Sequence, residues 1–235
     1  MTAGAHSTRR GIVVAIDGPS GAGKSTTARA VAARLGYDFL DTGAMYRAIT
    51  HAARSAGVAA EEGPALAALL ASVALDVRRA PGGTCVFVDG ADVSDAIRSR
   101  EVTSAVSSYS ALRSVREAMV ERQRRLGADG GVVVEGRDIG TVVFPNAELK
   151  VFLDASLEER ARRRRGELER AGLAAAHSEV ETDIARRDAL DSSRAVSPLA
   201  AAADAVHLDT SHLTFEQQVD AIVALARERG ARPLA

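Results

Sequence analysis

The run Gly18-Pro19-Ser20-Gly21-Ala22-Gly23-Lys24-Ser25 has the types and spacing of a phosphate cradle, G-x-x-x-x-G-K-S/T. Glycine lacks a Cβ, so the backbone can curl until several N–H groups point inward at an anion. A helix opening at Ser25 adds the positive end of its dipole at the same place. Lys24 supplies a point charge for β- and γ-phosphate oxygens, and the Ser25 hydroxyl can ligate Mg²⁺. Gly18 to Thr26 are therefore the expected contacts to a nucleoside triphosphate, while the acceptor stays open.

Four further polar clusters stand where the chain leaves an apolar run or follows a helical face. In Asp41-Thr42-Gly43-Ala44-Met45-Tyr46-Arg47, either Asp41 or Thr42 suits a helix N-cap, and Arg47, one turn in, suits a phosphate. Glu135-Gly136-Arg137-Asp138 ends the run Val132-Val133-Val134. Charges leaving a buried strand need partners, so Arg137 and Asp138 are either a structural ion pair or ligand groups. Arg187, Asp191 and Arg194 share one helical face if the helix passes Leu190; they make either a solvated ion pair or a grip on a ribose hydroxyl beside a phosphate. Within Glu158 to Arg165, the pairs Glu158–Arg162 and Glu159–Arg163 can form along a helix. The remaining arginines of Arg160 to Arg165 either face solvent or close over ATP as a lid.

The elements that must position these groups follow from apolar patterning. Ile12 to Ile16 is an unbroken β-branched run, the signature of a strand buried on both faces, and similar runs stand at Val132–Val134, Val151–Leu153 and Ala205–Leu208, with a weaker one at Phe39-Leu40. Helix-length segments lie between them at Ser25–Leu35, Ala44–Ala56, Leu112–Leu126, Ser156–Ala171, Ser178–Leu190 and Thr214–Arg229. The alternation predicts an α/β fold, a parallel sheet with helices on both faces. Between Leu75 and Val93, short strand-like runs with Pro81-Gly82-Gly83 and Asp89-Gly90 as turns predict a small antiparallel insertion. The resulting division is a core at 11–60 and 100–230, an inserted subdomain at 61–99, a lid at about 157–175 and a disordered arm at 1–10.

Composition limits the function classes. In 235 residues, 46% are hydrophobic but only 3% aromatic and none is Trp, so the core is built from Ala, Val and Leu. With 30 basic and 31 acidic residues the net charge is −1, which argues against binding nucleic acid or an anionic membrane through bulk charge. Cys85 is alone, so no intrachain disulfide forms, and the apolar run Ala65–Leu75 is too short to span a bilayer. A cytoplasmic monomer is expected. The Asn-Lys-x-Asp loop of a GTPase is missing, since the one asparagine, Asn146, precedes Ala147. Two other readings stay open: a phosphate-loop kinase for another small acceptor such as shikimate, and a nucleotide-switched RNA-binding module using Arg122–Arg125 and Arg160–Arg165.

Taken in order, the phosphate loop from Ile16, Asp41 to Arg47, Val115-Arg116-Glu117, Glu135 through Pro145, and Arg187-Asp188 through Arg194-Ala195-Val196-Ser197-Pro198-Leu199 resemble the bacterial cytidylate kinases, from about Ile12 to the C-terminal helix. The resemblance implies a P-loop NTPase-type five-stranded sheet and transfer of the γ-phosphate of ATP to CMP and dCMP with Mg²⁺. It further implies that cytosine is read by Ser107, Arg116 and Asp138, with Ser104 or Ser108 as substitutes for Ser107. The acceptor phosphate would be held by Arg47, Arg137 and Arg194, with Thr42 nearby, and the ribose would lie near Arg187 and Asp191. Lys24, Arg47, Arg137 and Arg194 would form the catalytic set, and Arg160 and Arg163 would reach ATP from the lid. Many members carry Asp before Gly-Arg-Asp, where this chain has Glu135; whether Glu135 or Asp41 assists Ser25 at Mg²⁺, directly or through water, stays open.

Overall fold

The computed structural model describes residues 11–80, 83–170, 172 and 176–233. The arm expected at 1–10 lies outside them, as do Pro81 and Gly82 of the expected turn. Strand β1 (Val13–Asp17) leads through the glycine-rich loop into α1 (Lys24–Leu35), and β2 (Asp38–Asp41) leads directly into α2 (Thr42–Ser55). There follow α3 (Pro64–Ser72), β3 (Leu75–Ala80), β4 (Gly83–Val88), β5 (Ala91–Asp92), α4 (Arg100–Ser110) and α5 (Arg113–Leu126). The remainder is β6 (Val132–Gly136), a π-helical turn (Ile139–Val143), β7 (Leu149–Asp154), α6 (Leu157–Arg170), α7 (His177–Ser193), β8 (Val206–Asp209) and α8 (Phe215–Glu228).

Five parallel strands pair in the order β2-β6-β1-β7-β8. Successive side chains of β1 point to opposite faces, which explains its unbroken apolar run. Val13 and Ala15 join one core with Val132, Val134, Met45, Ile49 and Met119. Val14 and Ile16 join another with Val133 of β6, Val31 and Leu35 of α1, and Ile222 and Val223 of α8. The carboxyl ends of β1, β2 and β6 coincide: Asp17 stands opposite Gly136, and Asp41 opposite Glu135. Every charged cluster that leaves a strand is thereby brought to one rim.

The antiparallel insertion is present as β3-β4-β5, with Asp89 at φ 50° and Gly90 at φ 82° making the tight turn that the Asp-Gly pair predicts. It is not separately cored: Leu66, Leu70, Val86, Val88 and Ile97 share one cluster with Ile49 and Val115. Two helices and the π-helical turn depart from the expected pattern. Helix α3 is almost wholly Ala and Leu, and α4 is rich in Ser and Val, so neither carries a helical period strong enough to announce it.

Candidate active site

Three glycines shape the loop after β1. Gly18 has φ 150°, and a Cβ there would stand 2.0 Å from the Leu153 carbonyl oxygen, so the strand-to-loop turn admits no side chain. Gly21 (φ 78°) and Gly23 (φ 86°) are also left-handed, and Gly23 is the N-cap of α1. Lys24 is buried inside the curl, its Nζ donating to the Pro19 carbonyl at 2.7 Å. Burial, with Arg137 nearby, pulls its pKa down, against the attraction of Glu135, Asp17 and Asp191. A buried ammonium in that position is stabilised by any anion that enters the loop.

Ser25 Oγ donates to Glu135 Oε1 at 2.6 Å, which sets a hydroxyl and a carboxylate side by side at the loop mouth. Burial and the nearby Asp41 charge push the Glu135 carboxyl up, opposed by Lys24, Ser25 and Arg137. Of the two capping candidates, Asp41 performs the role, accepting from Ala44 N at 2.7 Å while its other oxygen meets Arg47 at 3.2 Å. Thr42 turns elsewhere: its hydroxyl donates to the Glu135 carbonyl at 2.7 Å and the residue is 3% exposed. Donation from that hydroxyl to a nucleotide would require this bond to break.

Arg137 and Asp138 do not pair with each other. Arg137 donates through Nε to Asp191 at 2.8 Å, and Arg194 reaches the same carboxylate at 3.7 Å and the Asp191 carbonyl at 3.2 Å. Helix α7 does pass Leu190, ending at Ser193 with Arg194 at its C-cap, so Arg187, Asp191 and Arg194 share a face as their spacing predicts. Burial pushes the Asp191 carboxyl up, but Arg137, Arg194 and Arg187 outweigh it and hold the carboxylate below its usual range. Arg187 Nε and Arg194 Nη2 are buried without hydrogen-bond partners. Guanidinium groups left with buried, unpaired donors are suited to an oxyanion ligand.

Asp138 instead forms a buried ion pair with Arg116, whose other nitrogen donates to the Ser110 carbonyl at 3.2 Å. The side chains are only 5% and 2% exposed. The Arg116 guanidinium lies 5.4 Å from the Tyr46 ring centroid, inside cation–π range. The Arg194 charge feels Arg116, Asp191, Asp138 and Tyr46 together, which links this pair to the arginine cluster. Ser107 is half-buried on α4, whereas Ser104 and Ser108 are exposed.

The arginine-rich helix divides by face. Arg162, Arg164 and Arg165 pair with Glu159, Glu167 and Glu169 on the outside. Arg160 and Arg163 turn onto the loop itself. Arg160 donates to the Ser20 carbonyl at 3.0 Å and to Asp188; Arg163 reaches the Ala22 carbonyl at 3.4 Å and the Thr210 carbonyl at 2.7 Å. Asp188, which sequence reasoning left without a role, accepts from Ser20 N at 3.0 Å. The second basic segment is also used internally: Arg122 caps the carbonyls of Leu70 and Val73, and Arg124 those of Val142 and Val143.

Among the described residues no helix is long and apolar enough to cross a membrane, and no group of three or more His, Cys, Asp or Glu is placed to hold a metal ion.

Comparison with known proteins agrees with this geometry. A cytidylate kinase of Geobacillus sp. (strain WCH70) is 50% identical over 221 residues, covering 94% of this chain and 99% of the relative. A bifunctional pantoate ligase/cytidylate kinase of Synechococcus sp. (strain CC9605) is 51% identical over 219 residues, covering 92% of this chain and 46% of that longer protein. Among solved structures, an uncharacterized protein from Eubacterium ventriosum ATCC 27560 shares the fold with a TM-score of 0.51 at 11% identity, covering 92% of this chain and 98% of that one. The family model for cytidylate kinase matches residues 14–228, and the chain belongs to that family.

Proposed function

We propose that the rim at the carboxyl ends of β1, β2 and β6 brings ATP and CMP together phosphate to phosphate, and that the γ-phosphate passes to CMP or dCMP. The donor side is the curl of Gly18 to Thr26 around Lys24, braced by Arg160 and Arg163. The acceptor side is the cluster of Arg137, Asp191, Arg194 and Arg187, with Arg47 held on Asp41 at the same rim. Cytosine is read by Asp138 and Arg116, with Ser107, half-buried on α4, as the third reader. The 61–99 insertion packs on α2 and α5, next to this side. The observation that carries the reading is the Asp191 carboxylate holding Arg137 and Arg194 within charge range of both Lys24 and the Arg116–Asp138 pair.

The attacking group is a CMP phosphate oxygen, already anionic at neutral pH, so the reaction needs no general base. The protein's work is alignment and offsetting of charge. Two anions repel, and Lys24, Arg137, Arg194 and Arg47 supply the positive charge that lets them approach. The unpaired donors of Arg187 and Arg194 gain acceptors when the nucleotide binds. The helices α6 and α7 shield the loop from water, which would otherwise accept the phosphoryl group.

Ser25 and Glu135 fit a hard divalent cation: both offer oxygen, they converge at 2.6 Å, and the buried Glu135 carboxylate lacks a full counter-charge. Two protein oxygens suit Mg²⁺, which keeps much of its water and takes further oxygens from phosphates. Asp41, engaged with Ala44 N and Arg47, would assist from behind. When bound, the ion supplies neutralisation of the β- and γ-phosphate charge.

The test is ADP release from ATP with a panel of acceptors: CMP, dCMP, UMP, AMP and shikimate. Release that depends on CMP and dCMP is expected. Release that depends on another acceptor and not on CMP would overturn the assignment.

A further inference from the structure

One buried carboxylate at the rim has no part in the scheme above. Asp17 is the last residue of β1, 4% exposed, immediately before the first loop glycine. Its oxygens accept from Ile139 N at 2.8 Å and from Gly140 N at 2.7 Å, 122 and 123 residues further along the chain. Those are the first free N–H groups of the π-helical turn Ile139–Val143, whose N-cap residue is Asp138. Helix starts leave such donors unsatisfied, and an aspartate at the N-cap ordinarily fills them with its own side chain. Asp138 does not: it makes no cap, and its carboxylate goes to Arg116.

We infer that Asp17 is a positioning residue for base selection: by capping the 139–143 turn from another strand, it keeps the Asp138 carboxylate free to face Arg116 and the cytosine. The inference rests on the reading of Asp138 as the base acceptor. It also explains why an ionised group is retained in this place. Burial outweighs the two N–H groups and leaves the Asp17 carboxyl raised to about 6, still below neutral pH, so it can accept from both as a carboxylate. Asp138 and Lys24 are the other charges it feels. The packing leaves little slack, since a Cβ on Gly140 would stand 3.3 Å from Asp17 Oδ2 and 3.1 Å from Lys150 Cδ.

Without an acceptor at position 17, the nearest carboxylate able to cap the turn is Asp138 itself. Turning inward, it would leave Arg116 and the base. The same residue thus ties the donor loop, through Gly18, to the segment that chooses the acceptor.

The experiment is the ratio of kcat/KM for CMP to that for UMP in wild type, Asp138→Asn and Asp17→Asn, with KM for ATP measured alongside. Asn at position 17 offers one acceptor and faces the second N–H with its own hydrogens. Asp17→Asn is expected to raise KM for CMP roughly tenfold and to lower the CMP-to-UMP ratio toward that of Asp138→Asn, with KM for ATP within about threefold of wild type. An unchanged ratio in Asp17→Asn, where Asp138→Asn loses it, overturns the inference alone. CMP and ATP kinetics that decline together, with the ratio intact, assign Asp17 a structural role only and also overturn it. A wild type without preference for CMP, or an Asp138→Asn variant that keeps it, overturns the underlying reading of Asp138. If Asp17→Asn does not fold, Gly140→Ala presses on the same contact: a lowered ratio supports the inference and an unaltered one rejects it.

Discussion

The Ser20 amide donates to the Asp188 carboxylate over 3.0 Å, so a side chain of α7 is bonded to the phosphate-loop backbone 168 residues away. Arg160 completes the arrangement, donating both to Asp188 and to the Ser20 carbonyl. One loop residue is therefore held by its N–H and its C=O at once. In Asp188→Ala both Ser20 N–H and Arg160 lose a partly buried partner. The expected outcome is a loss of about 1–3 kcal/mol in urea denaturation and a raised KM for ATP. Unchanged values of both would show that this contact braces nothing.

Lys24 lies inside the loop with its ammonium on the Pro19 carbonyl, where it can follow the phosphates during transfer. Lys24→Ala should keep the fold, because the glycine geometry and the α1 packing do not depend on the side chain. Its kcat should fall by roughly 10²-fold or more, the scale of losing one preorganised charge at a transition state. Turnover at the wild-type rate would remove Lys24 from the mechanism.

Arg194 contacts Asp191 of the proposed acceptor cluster, and none of its hydrogen bonds goes to the loop. Arg194→Ala should raise KM for CMP at least about tenfold while ATP binding stays near wild type, since a charged hydrogen bond is worth about 1.5–3 kcal/mol. Normal CMP kinetics with weakened ATP binding would place Arg194 on the donor side.

Glu159 on α6 bonds Arg162 and Arg163, and these pairings hold its carboxyl down at about 2. The folded value lies below the unfolded value of 4.5, so the unfolded chain binds the proton more readily in between. The contribution is thus fully present above pH 4.5 and is lost as pH falls toward 2. The stability difference between wild type and Glu159→Gln should be constant near neutrality and shrink in urea denaturation below about pH 4.5. A difference independent of pH would show that Glu159 pairs equally well unfolded.

What could be read from sequence and what could not divide along chain distance. The phosphate loop is contiguous, and β1, β6 and β7 each carry an apolar run, so both are legible. The one-face reading of Arg187, Asp191 and Arg194 needed only helical spacing, and α7 supplies it. The turn Ile139–Val143 carries no sequence signal of its own. It turns because Asp17 caps its start and Arg124 its last carbonyls, both from other elements. The roles of Asp17 and Asp188 depend on partners far along the chain, which no local pattern carries. The division of Arg160 to Arg165 into inward and outward groups likewise depends on where the loop backbone lies.

The most direct measurement is kcat/KM for CMP against UMP, with saturating ATP and Mg²⁺. Cytosine carries an N4 amino donor where uracil carries the O4 acceptor, and a buried carboxylate can satisfy only the first. A preference for CMP of roughly tenfold or more is expected. Equal values for the two nucleotides would contradict the assignment of Asp138 and, with it, the identity of the acceptor site.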